Sequence, residues 1–179
     1  MASAGRKASK SSNPPSSTSP SSRRGRSKSL SIPSFGRFIG YKIGKATAES
    51  GTCTLKVRPE HLNRSGVVHG GIMMTMIDVA CSVAGQYVPP GQPPLLSASI
   101  SITTSFVGNV DKGTLTATGG KTGGGKRIFF AKGEVRDQKG NLLAQGEGVF
   151  RYRSAEATEV GISRARAARQ KASSRRSGR

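Results

Sequence analysis

Asp78 is the residue that most needs an explanation. It lies in the run from Ile72 to Gly85, which is apolar on nearly every side apart from Thr75, Asp78 and Ser82. At helical spacing its neighbours are Met74, Thr75, Cys81 and Ser82. An ionised carboxylate in such surroundings is costly unless it is paired or hydrogen-bonded. Two roles fit: a structural acid that caps a nearby loop amide, or a general base with a pKa shifted by its setting.

His69-Gly70-Gly71 stands immediately before that run. Glycine lets the backbone approach a ligand without a Cβ in the way. The first N–H groups of a helix have no internal partners and can donate to an anion, or to an oxygen gaining negative charge. A carbonyl oxygen under nucleophilic attack gains such charge, and buried backbone donors suit it as an oxyanion hole. The plainer role for the paired glycines is close helix packing. His69 could exchange a proton near neutral pH or could order the loop through hydrogen bonds. Asn63 could hold a water or the base, or could be an ordinary turn residue in the loop Pro59–Gly66.

The elements that must position these groups can be read from periodicity. Ile39, Tyr41 and Ile43 alternate with Gly and Lys, which predicts a first strand from about residue 38 to 47. A turn at Glu49-Ser50-Gly51 leads to a second strand, Thr52 to Val57, with Cys53, Leu55 and Val57 on one face. The run after Gly71 predicts a helix buried all round. Four prolines between Pro89 and Pro94 make a loop. Leu95 to Val107 predicts a long strand, with Leu96, Ala98, Ile100 and Ile102 opposed to Ser97, Ser99, Ser101 and Thr103. Strands follow at 114–121, 127–136 and 142–153, the last two joined by the hairpin turn Asp137–Asn141. The expected class is α+β, one antiparallel sheet wrapped around one buried helix.

Composition divides the chain in three. Residues 1–38 form a basic Ser/Pro-rich tail with a charge of +8. Residues 39–153 form the folded domain, with +7, and residues 154–179 a second basic tail, with +5. Neither tail has the apolar content to offset its ordering entropy, so both are expected to be disordered. Most of the +20 total thus reflects tails that attract polyanions nonspecifically. The core shows no nucleic-acid motif and few aromatics. Cys53 and Cys81 are expected as two reduced, buried thiols. No run is apolar enough for a membrane span, and the N-terminus lacks a secretory signal. A cytoplasmic location is expected, or an organelle if the first tail is a transit peptide.

The stretch His61-Leu-Asn63-Arg-Ser-Gly66-Val-Val-His69-Gly70-Gly71-Ile-Met-Met-Thr-Met-Ile-Asp78 resembles the signature of the PaaI-like, phenylacetate-type hotdog thioesterases. Ser99 to Phe106 resembles their long central strand, and Gly125 to Gly146 their closing hairpin. The resemblance covers the core and neither tail. It implies a hotdog fold, a curved antiparallel β-sheet around one long central helix. It implies a homodimer or homotetramer with the site between subunits, Gly70 of one chain facing Asp78 of another. The Gly70 amide, with that of Gly71, would polarise an acyl- or aryl-CoA thioester. Asp78 would act as base or nucleophile, supported by Asn63, with Ser99 and Ser82 as helper hydroxyls. No metal or redox cofactor is implied. Lys126 and Arg127 could meet the CoA phosphates or could simply cap a solvated strand end. Ser101 and Thr103 stand where Asp and Asn are frequent in the family, which bears on substrate preference. The family's N-terminal helix is short or absent here, because Pro33 and Gly36 interrupt it.

Three other functions compete. A hotdog module that binds acyl-CoA without turnover would share the pocket but not need Asp78. A nucleic-acid-associated protein would rely on the tails. A hotdog dehydratase or hydratase sets its catalytic His differently from this His-Gly-Gly.

Overall fold

The computed structural model describes residues 34–177. The first tail, residues 1–38, therefore lies almost wholly outside the described residues. The chain runs α1 (Ser34–Ile39), β1 (Lys42–Ala46), β2 (Gly51–Lys56), α2 (Gly70–Gly85), β3 (Ser97–Phe106), β4 (Thr114–Gly124), β5 (Ile128–Arg136), β6 (Leu142–Tyr152) and α3 (Ala155–Ser177). The six strands form one antiparallel sheet in the order β1-β2-β4-β5-β6-β3. The expected α+β class is borne out: a curved sheet with α2 packed against it.

Four details differ from the sequence expectation. Residues 34–39 are helical, so the first strand begins only at Lys42. Gly40 stops that short helix with φ +87°, and its N–H bonds Gly36 O at 2.7 Å. The carbonyls of its last turn are bound from outside. Arg58 Nη2 donates to Phe38 O and Ile39 O at 3.0 and 3.2 Å, and buried His61 Nε2 lies 2.8 Å from Ile39 O.

The second difference is α3. Residues 155–177 were expected to lack regular structure but are helical. The segment is rich in Ala and Arg, both good helix formers. Glu156 in its first turn suits the helix dipole. Its first turn is tied down by Ser154 Oγ, which accepts from Ala157 N at 3.3 Å, and by buried Thr158.

The third difference lies in β3. Its register slips between Ser99, opposite Phe150, and Ser101, opposite Val149. The bulge at Ile100 reverses the strand's phase. Ser97 and Ser99 therefore face α2, while beyond the bulge Ile102 packs on the core.

The core lies between α2 and the middle strands: Met73, Met76, Ile77, Ala80 and Cys81 against Cys53, Leu55, Leu115, Phe129 and Phe150. The sheet approaches α2 closely at glycines. A Cβ on Gly119 would stand 2.5 Å from the backbone of Ala80 and Cys81, and one on Gly51 would collide with the amide of Ala84. Yet α2 is not buried all round, as its composition suggested. Gly71, Thr75, Asp78 and Ser82 are half-buried, and Met74 is 42% exposed. They form one open stripe along the helix. Edge strand β3 lies beside it, with Ile100 57% exposed.

Candidate active site

A closed loop delivers the start of α2. Leu62 and Val68 form an isolated bridge, Asn63 N donates to Val67 O at 2.8 Å, and His69 N donates to His61 O at 2.8 Å. Asn63 is turned into this loop, where its Oδ1 accepts from Ser65 N at 2.8 Å and Val67 N at 3.4 Å. His69 is the helix N-cap: its Nδ1 accepts the Gly71 N–H at 2.9 Å. That bond occupies the Gly71 amide. The Gly70 N–H has no hydrogen-bond partner among the described residues. A Cβ on Gly70 would lie 3.0 Å from the Phe106 ring, which covers this end of the helix and is itself 52% exposed.

Two turns further along the open stripe sits Asp78. Ser99 Oγ donates to its Oδ1 at 2.5 Å, a bond that the β3 bulge makes available by turning Ser99 inward. Burial raises the Asp78 carboxyl above its ordinary value, and the Ser99 hydrogen bond offsets part of that rise. Buried Tyr41 is within electrostatic range. Its phenol is pushed up by burial first, then by the charges of Cys53 and Asp78. Cys81 is pushed up to about 12, by burial first and then by Asp78; Cys53 also reaches about 12 through burial. Both thiols are free, buried and too weakly acidic to be nucleophiles.

Of the residues singled out from sequence, Asp78 and Ser99 meet directly, and Gly70, Gly71 and His69 share the helix start. Asn63 touches only its own loop. Ser82 lies half-buried one turn beyond Asp78, with no side-chain bond to it. Lys126 and Arg127 are exposed at the β4–β5 turn. The sequence reading missed Tyr41, His61, Phe106 and the bond from Gln86 Nε2 to Ser97 Oγ at 2.8 Å. Gln86 was findable: it lies eight residues past Asp78 on the same helix face. Phe106 gave no signal, because the bulge hides which way the strand's far end points.

Among the described residues, no three His, Cys, Asp or Glu side chains gather as a metal site. No described helix is long and apolar enough to cross a membrane.

Comparison with known proteins agrees with the fold. Residues 65–144 match the family model described as Thioesterase superfamily. The resemblance to PaaI-like hotdog thioesterases, carried by His61 to Asp78, is borne out, and thioester hydrolysis is the general chemistry these likenesses support. Among individual relatives, the chain is 27% identical over 117 residues to mouse acyl-coenzyme A thioesterase 13, covering 64% of this chain and 82% of that one. A thioesterase from Haemophilus influenzae superposes with a TM-score of 0.60 at 18% identity, covering 67% of this chain and 82% of that one. A variant of the phenylacetic acid degradation protein PaaI from Thermus thermophilus gives a TM-score of 0.57 at 21% identity, covering 65% and 96%.

Proposed function

We propose that the unit of residues 39–153 hydrolyses an acyl- or aryl-CoA thioester to the free acid and CoA. The observation that carries this reading is the half-buried Asp78 carboxylate held by Ser99 on the same open helix stripe that begins with the unpartnered Gly70 amide. As base, Asp78 takes a proton from water, and the water oxygen attacks the thioester carbonyl. The Gly70 N–H donates to the oxygen that becomes negative. The C–S bond then breaks, and the CoA thiolate takes up the proton. As nucleophile, Asp78 would attack directly and form a mixed anhydride that water opens. The Gly71 amide is already taken by His69, so one helix supplies one free donor. Lys126 and Arg127 are proposed to meet the CoA phosphates.

One chain is not enough. Gly70 and Asp78 are eight residues apart on α2, roughly 12 Å along the axis. A reacting carbonyl has to lie within about 3 Å of both the donor and the attacking oxygen. A two-fold pair of chains with their open stripes facing would set Gly70 of one copy against Asp78 of the other. The exposed Met74 and Ile100, on that stripe and on the free edge of β3, support a homodimer built this way, or a tetramer containing it.

The test is release of free CoA thiol from a panel of acyl- and aryl-CoA substrates by the full chain. Asp78→Asn should lower kcat by about 10²- to 10⁴-fold without dissociating the assembly. A fully active Asp78→Asn enzyme would remove the chemistry proposed here. An acyl-CoA-binding module without turnover predicts tight binding and no thiol release from either form.

A further inference from the structure

Helix α1 carries the two most exposed aromatic rings among the described residues: Phe35 is 57% exposed and Phe38 77%. Three residues apart on one short helix, they share a face. The opposite face is packed, with Gly36 and Ile39 buried. The rings are not on a loose end. Arg58 Nη2 donates to the carbonyls of Phe38 and Ile39 at 3.0 and 3.2 Å, and His61 Nε2 lies 2.8 Å from that of Ile39. A Cβ on Gly40, the residue that ends the helix, would stand 3.4 Å from the Arg58 guanidinium. The domain thus holds the pair outward in a fixed place.

Adjacent phenyl rings held in water mark a surface for an apolar partner. The facing of the α2 stripes proposed above uses Met74 and Ile100 and does not call on these rings. Charge decides which partner fits. Residues 1–38 carry +8, and the first acid in the chain is Glu49. Lys42 and Lys45, exposed on β1, follow α1. A two-fold contact through α1 would bring two such acid-free stretches together, which like charge opposes. A bilayer with acidic headgroups meets both features, being apolar within and anionic at its surface. Seven residues of chain, at most roughly 25 Å, separate Lys28 from Phe35, and Arg23, Arg24 and Arg26 stand just before Lys28 in the sequence. Each base brought near an acidic leaflet adds about fivefold in affinity. Stable attachment takes two signals, and an apolar insertion beside a basic run supplies both.

We propose that the Phe35–Phe38 face of α1 inserts into the headgroup boundary of an anionic lipid bilayer, with the bases that precede it in the chain drawn to the acidic headgroups. Six residues cannot span a bilayer, so the attachment is peripheral. Arg58 and His61 keep the helix fixed to the domain, so the rings enter the lipid without refolding of the body. Duplex nucleic acid would satisfy the charge but offers two phenyl rings no apolar interior. The inference does not depend on turnover.

Flotation of the full chain with vesicles reads this directly. Mixed phosphatidylcholine and phosphatidylserine vesicles should carry the wild type, and vesicles of phosphatidylcholine alone should bind it about tenfold or more weakly. Phe35→Ser/Phe38→Ser should weaken binding to the mixed vesicles by about tenfold or more while leaving retention on duplex DNA as in the wild type. The chain has no Trp, so Phe38→Trp puts a single indole on the face. Its emission should shift to the blue with mixed vesicles and stay unmoved with DNA. The inference is overturned if the wild type floats with neither vesicle, if the double variant floats as the wild type does, or if the Phe38→Trp emission ignores the lipid. A double variant that loses vesicles and DNA in equal measure would assign the face to nucleic acid. One that changes oligomeric state by sedimentation without lipid would assign it to a second copy. Either result sinks the membrane reading.

Discussion

At Asp78, the proposed catalysis and stability pull against each other. Burial raises its carboxyl, which means that the folded chain binds the proton more tightly than the unfolded chain. Asp78 therefore favours folding most below its unfolded pKa, and that contribution is lost as pH rises through the raised folded value. Asn stays neutral throughout, so Asp78→Asn should raise Tm at neutral pH while abolishing most turnover. A thermal melt across pH, with the two curves converging in acid, checks this. The proposed mechanism needs the ionised carboxylate, so the acid limb of the pH–rate profile should lie above the ordinary Asp value of about 3.9. Ser99→Ala removes the bond that lowers that value, and should shift the limb further up. An unmoved limb would mean that Asp78 is not the group being titrated. Asp78 could be singled out in the sequence because a lone acid in an apolar helix is conspicuous. Its partner Ser99 came only with the family likeness, since strand alternation put it in a row of four similar polar side chains.

Among the elements, α2 was the most legible and β3 the least. The glycine start and unbroken apolar run of α2 fix its type and its N-terminus almost to the residue. The alternation in β3 is just as regular, yet one extra residue at Ile100 inverts which half faces inward, and nothing in the local composition marks it. α1 and α3 were misread for opposite reasons. In α1, the alternation of Ile39, Tyr41 and Ile43 suggested a strand, although Gly40 ends a helix within it. In α3, attention to charge concealed strong helix formers. The close contact of α2 with the sheet yields a stability prediction. Gly119→Ala, whose Cβ meets two backbone atoms of α2, should cost about 1–3 kcal/mol. Gly123→Ala, in the same strand but facing open space, should change stability by no more than about 0.5 kcal/mol. Equal falls in Tm for the two would show that the close approach does not matter.

For the whole molecule, the open stripe of α2 and the free edge of β3 lie on one side. Met74→Asp adds a charge to that stripe without entering the core. It should convert the assembly to monomers by sedimentation, and lower kcat/KM by about 10² or more, because one donor and one base per site would be separated. Active monomers would contradict a shared site. The proposed pairing would also account for a sequence that suggests a helix buried all round, because the second copy would cover the exposed Met74. The net charge of +20 predicts salt-sensitive retention on DNA or heparin without sequence preference.

The glycines beneath α2 have one further effect. Gly51, Gly119 and Gly133 are pressed against the helix, which leaves little room for a hydrocarbon tail at those points between it and the middle strands. In the proposed site, a fatty or aromatic tail would extend the other way, past the exposed Met74 and toward the second copy. Under the proposed pairing two protomers would share the ruler that sets tail length, and substitutions at the contact between them should change chain-length preference before any change inside the core does.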